Sequence, residues 1–463
     1  MRITPCGALG EVTGSGYLVE TDKATVLVDF GAFQGRPDAE EMNRTFGPVK
    51  PDALDAVVLT HAHTDHTGRV PLLYGAGCTA PIFSTRASLD LTHILLLDAA
   101  GHAAEDLARQ NRRRSRDRLP PLRGLVDRDD IERLFGLMQA VPYDMPHAMA
   151  PGITVTFRDN GHILGSTSVE MIVHDGGQKR TIVFSGDIGP KGTPILRDPD
   201  PPTHTDLVFL ESTYGDRDHA SPDHGAAQFH QVLRDAIWAQ KVVIIPAFAI
   251  GRTQSVLFQI AAGIRAGVVP ECPLYLDSPM ASKTTATYRR HQDLYDEETK
   301  RLSRVGTMYE HLRQLTIVDS VEQSRQLNQT QSACIIIAGG GMCEGGRVVH
   351  HLKHHLPSTR TEVLVVGYMA VGTLGRQLAD GLKTVLIHDQ PVQVRAAIRA
   401  IDGFSAHAGQ TELLEWLGAM ARSSPRVALT HGEEPQRTAL AAKIKDRFGL
   451  DAERLMPGDF IEL

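Results

Sequence analysis

The sequence predicts an α/β protein of two domains, on three observations. Its first 200 residues alternate short β-branched runs with turns and helical stretches. From about 213 to 395, continuous apolar runs each lead through a turn into an amphipathic stretch, the texture of a parallel sheet covered on both faces. The length of 463 residues also exceeds what one ordinary core takes.

Taken in order, "YLVET", "ATVLVDFG" and "DAVVLT" read as strands, followed by "GITVTFRD", "TSVEMIV" and "KRTIVFSGD". "HDGGQKR" supplies the Asp-Gly signal of a hairpin turn. Residues 86 to 140 are helical in pattern. The arginine cluster "RQNRRRSRDRLPPLR" within them reads as a solvated helix end and loop, with an RNA-facing patch as the alternative. "KVVIIPAFAIGRTQSVLFQIAAGI", "SACIIIAGGGMCEGGRVVHHLKHHL" and "TEVLVVGYMAVGTLGRQLAD" are three strand–turn–helix units. The last 70 residues return to short strands with histidine-bearing turns. No tandem repeat or low-complexity segment stands out.

Composition narrows the class. An apolar content of 42% supports globular packing, and no apolar run approaches the roughly 20 residues that span a bilayer. "MRITPCGALGEV" lacks the basic start and apolar core of a signal peptide. Cys6, Cys78, Cys272, Cys334 and Cys343 are scattered, as expected of buried thiols in a reducing cytoplasm, so a metal site has to use histidine and carboxylate. A net charge of −7 does not mark a nucleic-acid binder, although a local basic cleft or bound cations can serve a polyanion.

The segment "HAHTDHTG" carries the chemistry. His61, His63, Asp65 and His66 stand on a turn between a buried strand and a short helix, where a rigid sheet usually presents functional loops. His61 and His63 are two apart on extended chain, so both rings can face one cation; Asp65 and His66 reach a neighbouring point. Four such groups, none acceptable buried without a partner, suggest two cations. Imidazole and carboxylate without thiolate suit Zn²⁺ ahead of Mn²⁺ or Fe²⁺. His162 in "RDNGHILGS", Asp187 in "IVFSGDIG" and His431 in "VALTHGEE" each follow a strand-like run, and Asp187 can bridge two metals. Asp29 in "VLVDFGAFQG" has the same setting and suits a group that orients a ligand histidine.

"HAHTDH" with downstream "GH", "SGD" and "HGE" resembles the metallo-β-lactamase superfamily. "FLESTYGDR", "IPAFAIGRTQ", "YLDSPMA" and "GFSAHAGQ" resemble its β-CASP branch of nucleases, which includes the endonuclease subunit of the cleavage and polyadenylation specificity factor and its bacterial stand-alone relatives. The resemblance implies a four-layer αβ/βα lactamase domain, residues 1–212 and 396–463, interrupted by a β-CASP domain, residues 213–395, on a mainly parallel sheet. It implies one zinc on His61, His63 and His162, a second on Asp65, His66 and His431, and Asp187 bridging, with Mn²⁺ as substitute. Asp29 matches the family's first acidic motif; Glu211 and His407 match β-CASP motifs, His407 as proton donor and Glu211 orienting its ring.

The implied reaction is hydrolysis of single-stranded RNA by zinc-activated hydroxide, in endo or 5′-to-3′ exo mode, in a cytoplasmic enzyme expected as a homodimer and without membrane attachment. Gly340 and Gly341 of "AGGGMCEGGR" can present N–H groups to a phosphate, with Arg347 and Lys353 nearby. Arg252 and Ser405 match positions expected along the substrate's path, and "HHLKHH" is expected on the surface or facing RNA. A DNA-processing relative and a small-ester or thioester hydrolase are the alternatives. The last motif separates the first, since RNA-type members carry histidine where DNA-repair members usually have valine, and this chain has His431. A small ester does not need the inserted domain. A metal-dead scaffold would have lost ligands, and every ligand position here is filled.

Overall fold

Two seven-stranded sheets organise the first of two compact units, Met1–Lys191, Asp198–Asp218 and His407–Leu463, in a computed structural model that describes residues 1–124, 126–305, 312–367, 369 and 372–463. One sheet runs in the order Ile461–Glu462, Arg2–Pro5, Gly16–Glu20, Thr25–Phe30, Ala56–Val58, Ile82–Ser84, Met138–Ala140. The other runs Ala452–Arg454, Arg426–Thr430, Leu207–Glu211, Gln178–Phe184, Thr167–Asp175, Ile153–Asp159, His147–Ala150.

Alternation along each strand decides which core it feeds. Val26 and Val28 join Phe157, Met171, Phe184 and Phe209 in the core between the sheets. Leu27, between those valines, turns outward to Leu73, Leu96 and Ile131, which cover that sheet from helices Val70–Gly75, Arg86–Arg116 and Arg128–Phe135. On the other sheet Val208 and Leu210 face outward to helices Gln410–Gly418 and Glu434–Phe448 through Leu413, Leu417, Leu440 and Ile444. The layers are therefore helix, sheet, sheet, helix, as expected. The hairpin read at "HDGGQKR" pairs Thr167–Asp175 with Gln178–Phe184, and both turn glycines have positive φ.

The second unit comprises Gly192–Arg197 and His219–Ala406. Among the described residues its main sheet has six strands, Leu315–Ile317, Leu274–Asp277, Cys334–Gly339, Val242–Ala247, Thr361–Val366 and Ala397–Ile401, all parallel, and Thr384–Ile387 and Gln390–Gln393 form a separate antiparallel pair. Val243, Ile245, Ile335 and Ile337 face one helical layer and Val242, Ile244, Cys334 and Ile336 the other, which is why the strands read as unbroken apolar runs. All three expected strand–turn–helix units are present, although residues 368, 370 and 371 of the third turn lie outside the described residues.

The second unit lies a few residues later than the expected 213–395. Strand Ala397–Ile401 pairs with Thr361–Val366, and the Asp402 carboxylate accepts from the Ala220 N–H at 3.1 Å, so the second unit begins later and ends later. It also takes in 192–197, where Arg197 Nη2 donates to the Asp293 carbonyl at 2.6 Å.

"HHLKHH" is corrected too. His351 and His355, one turn apart on helix Arg347–His355, are buried. His351 Nε2 donates to Asp277 Oδ2 at 2.6 Å and its Nδ1 meets Asn328 Oδ1 at 2.7 Å. Asp277 is wholly buried and also accepts from Ser324 Oγ at 2.5 Å and from Arg347 Nη1. Burial pushes the Asp277 carboxyl up, but hydrogen bonds from His351, Ser324 and Arg347 hold it below the usual carboxylate range.

Asp277→Ala removes the anion that a buried imidazole and guanidinium share. A loss of about 3–5 kcal/mol is expected, measured by urea denaturation. The stabilisation by Asp277 is complete above the unfolded carboxyl pKa of about 3.9. It fades as pH falls through the lower native value, so wild type and Asp277→Asn should converge in stability only in strong acid.

Candidate metal centre

Four loops at strand ends bring the expected ligands together. Strand Ala56–Val58 runs into the turn carrying His61 and His63 and into the short helix Thr64–Thr67. That turn is pinned by backbone bonds from Ser15 N–H to the Asp65 carbonyl at 2.9 Å and from Ala32 N–H to the Thr64 carbonyl at 2.8 Å. Gly31 permits this contact: a Cβ there would stand 1.5 Å from the Asp65 carbonyl oxygen. Asn160 ties the loops of His162 and Asp187 together, its Nδ2 donating to the Ser185 carbonyl at 2.7 Å and the Asp187 carbonyl at 2.5 Å.

Two donor sets result. His63 Nδ1 faces His61 Nε2 at 3.2 Å and His162 Nε2 at 3.1 Å, and Asp187 Oδ2 stands 3.5 Å from both Nε2 atoms. His66 Nε2 lies 3.3 Å from His431 Nε2 and 3.2 Å from Asp187 Oδ1, while Asp65 Oδ2 is 3.5 Å from His431 Nε2. Ligand atoms at the corners of a tetrahedron around zinc, with bonds of about 2.0–2.1 Å, stand about 3.3–3.4 Å apart. The spacing here is that of donors converging on a cation. Asp187 Oδ1 is buried without a hydrogen bond, which likewise fits a metal ligand.

Asp29, in left-handed backbone at φ 57°, sets the tautomers of one histidine in each set. It accepts from His66 Nδ1 at 2.7 Å, from the Thr60 N–H at 2.8 Å and from Thr60 Oγ1 at 2.7 Å. Thr60 Oγ1 in turn accepts from His61 Nδ1 at 3.1 Å. Both Nε2 lone pairs are thus directed into the cluster. Thr213 Oγ1 meets His431 Nδ1 at 3.2 Å.

Burial holds His61 and His63 below the ordinary imidazole range, with neighbouring His66 adding to the effect. Burial would lower His66 as well, but Asp187 and Asp29 raise it well above that range; a cation bound here would take the place of the Nε2 proton. Burial raises the carboxyls, yet His431 and His66 bring Asp65 down to about 2 and, with His61, Asp187 well below its usual value.

Beside the donors, His407 stands before helix Gln410–Gly418. Its Nδ1 donates to Glu211 Oε1 at 3.2 Å, and its Nε2 points toward Asp187 Oδ2, 3.9 Å away. Glu211 is fixed by the Ile188 N–H at 2.8 Å and the Thr213 N–H at 3.1 Å. Burial lowers the His407 imidazole, but the Glu211 and Asp187 carboxylates overcome it and raise it to about 9. Asp187, Glu211 and His407 are also close enough to form a third donor group.

The expected substrate contacts belong to the second unit and are differently placed. Arg347 is held by Asp277, by the Val318 carbonyl at 2.8 Å and by the Asp319 carbonyl at 3.0 Å, so it clamps its own domain. Arg252 Nη1 donates to the Val366 carbonyl. A Cβ on Gly340 would meet the Gly345 carbonyl at 2.1 Å and one on Gly341 the Phe248 ring at 2.7 Å, so both serve close packing. Lys353 is half-buried and Ser405 is buried. Thr60, Asn160 and Thr213 were not anticipated; their adjacency to the "TH", "GH" and "EST" motifs was the available signal.

A helix–sheet–sheet–helix unit holding a histidine–aspartate cluster at its strand ends defines a metallohydrolase. The description "Metallo-beta-lactamase superfamily" matches residues 9–245, "Beta-Casp domain" residues 253–378 and "Zn-dependent metallo-hydrolase RNA specificity domain" residues 391–455. The chain belongs to the β-CASP branch of the metallo-β-lactamase superfamily. It is 36% identical to a ribonuclease of Thermus thermophilus, over 95% of each chain. It is 30% identical to a transcription termination factor of Methanosarcina mazei, over 98% of this chain and 70% of that one. A crystal structure of an Enterococcus faecalis protein of unknown function matches with TM-score 0.54 at 13% identity, over 100% of this chain and 99% of that one, a likeness of fold alone.

Proposed function

We propose that the protein is a zinc-dependent ribonuclease with two zinc ions per chain, one held by His61, His63 and His162, the other by Asp65, His66 and His431. Asp187 serves both. The observation that carries this reading is the division of the Asp187 carboxylate, Oδ2 toward one donor set and Oδ1 toward the other. Bound zinc supplies Lewis acidity toward the scissile phosphate and lowers the pKa of water.

The chain's own groups do the rest. Asp29 keeps His61 and His66 in the tautomers that offer Nε2. Glu211 keeps the His407 proton on the side of the leaving group by engaging Nδ1. As water oxygen bonds to phosphorus, releasing its proton to solvent, and the P–O3′ bond breaks, His407 Nε2 delivers its proton to the departing 3′ oxygen and is reprotonated from solvent. The products are a 3′-hydroxyl and a 5′-phosphate.

RNA rather than DNA is supported by the RNA-specificity description, whose span includes His407 and His431, and by a relative named as a ribonuclease. Among the described residues no helix is long and apolar enough to cross a membrane. Five free thiols fit a cytoplasmic enzyme. A homodimer is the expected assembly, which sedimentation checks.

The deciding experiment follows matched end-labelled single-stranded RNA and DNA with protein purified without added metal. Two zincs per chain and RNA cleavage, lost on chelation and restored by zinc, are the expected results. Preference for DNA would return the assignment to repair chemistry. Metal binding with neither polymer cut would return it to small-ester hydrolysis.

A further inference from the structure

We propose that the outer half of helix Arg86–Arg116, with the segment that folds back along it, is a docking surface for the backbone of single-stranded RNA. The inference rests on the ribonuclease reading but concerns a surface remote from the metal ligands. Burial along this 31-residue helix ends at Ala100, and from Gly101 to Arg116 no residue is buried. That is about 24 Å of helix outside any core. Core packing does not account for it.

What holds this half is a strap of residues 119 to 124. Asn111 and Leu122 exchange two hydrogen bonds, Nδ2 to the Leu122 carbonyl at 3.0 Å and the Leu122 N–H to Oδ1 at 2.7 Å. Arg114 Nε donates to the Pro120 carbonyl at 2.8 Å. The half-buried positions Leu107, Asn111 and Arg114 therefore define the strap-facing side. Arg109, Arg112, Arg113 and Arg116, at i, i+3, i+4 and i+7, fall on the opposite, exposed side. Arg109 pairs with Asp106, whereas Arg112, Arg113 and Arg116 make no ion pair among the described residues.

The charge is concentrated well beyond what a helix end requires. Residues 101 to 124 hold seven arginines against three acids, Glu105, Asp106 and Asp117, in a chain of net charge −7. One cation in the last turn suffices to complement the helix dipole. From residue 109 on, the stretch contains no lysine and no aromatic residue. Guanidinium forks favour phosphate oxygens, and without rings to stack on bases the recognition is of backbone, not sequence.

The helix also starts at the metal centre. Thr85 Oγ1 and Ser88 Oγ both donate to the Gly165 carbonyl at 2.7 Å, in the loop that carries His162. From Ser88 to Arg109 is about 31 Å of helix, a span of about nine nucleotides at a stacked rise of 3.4 Å. Only RNA longer than this reaches both places.

The test compares wild type with R109Q/R112Q/R113Q/R116Q on a trinucleotide and on a long single-stranded RNA, across a salt series. For the long RNA, kcat/KM should fall roughly tenfold or more at low salt, and its salt slope should flatten by about 2–3. The trinucleotide should be cut at the wild-type rate, and the quadruple lysine variant should keep the wild-type slope. An unchanged rate and slope on long RNA overturns the proposal. Matching thermal unfolding of variant and wild type establishes that the helix is intact. If wild type cuts no RNA, the ribonuclease reading fails by itself, and fluorescence anisotropy of labelled long RNA decides the surface. Weaker binding by the glutamine variant then supports it; equal binding, or none by wild type, overturns it.

Discussion

Asp187→Ala is expected to lower RNA cleavage by about a thousandfold or more and to reduce bound zinc to less than one ion per chain. Each Asp187 oxygen faces a different donor set, so one substitution should weaken both. It also exposes six ligand groups to one another without the carboxylate that draws His66, His61 and His431 together. Asp187→Asn keeps the shape and one oxygen, and should retain more zinc than alanine while recovering little activity. Metal analysis beside single-turnover cleavage checks both statements. Two zincs retained by the alanine variant would remove Asp187 from its bridging role.

His407→Ala should behave differently. The ring is tied through Nδ1 to Glu211, and its Nε2 remains 3.9 Å from Asp187, where His61, His162 and His66 stand 3.2 to 3.5 Å from that carboxylate. The variant is therefore expected to keep its zinc and to lose about 10²–10⁴ in kcat, the usual contribution of a positioned acid, with KM little changed. Glu211→Gln frees the ring without removing it and should fall between wild type and His407→Ala. Zinc lost from the alanine variant would instead place His407 in the third donor group with Asp187 and Glu211.

The donor cluster was legible in the sequence because its residues are dense. Four of them occupy six positions at the end of an apolar strand, a pattern with no ordinary packing role. The groups that orient them were harder to see. Thr60 and Asn160 look like any hydroxyl or amide at a turn, and only the folded loops show that one relays Asp29 to His61 and the other joins two ligand loops. "HHLKHH" misled because a helical pattern shows which residues share a face but not what covers that face. His351 and His355 turn inward toward Asp277, Asn328 and the Leu327 carbonyl. Arg347, expected near a phosphate, is bonded within its own unit to acceptors 28 to 70 positions away in the chain, which its local sequence does not show. The sequence "AIRAI" carries no sign of which sheet it joins; its pairing with Thr361–Val366 is a nonlocal choice.

The pairing of strand Leu207–Glu211 with strand Arg426–Thr430 has a consequence for how the enzyme comes into being. The first donor set is complete once residue 187 has left the ribosome. The second waits for His431, which arrives only after the whole second unit has been synthesised. His407, the expected acid, emerges in the same late stretch. During translation the growing chain therefore holds the residues of one donor set before those of the other. A chain built this way has an incomplete donor cluster until its last strands are in place.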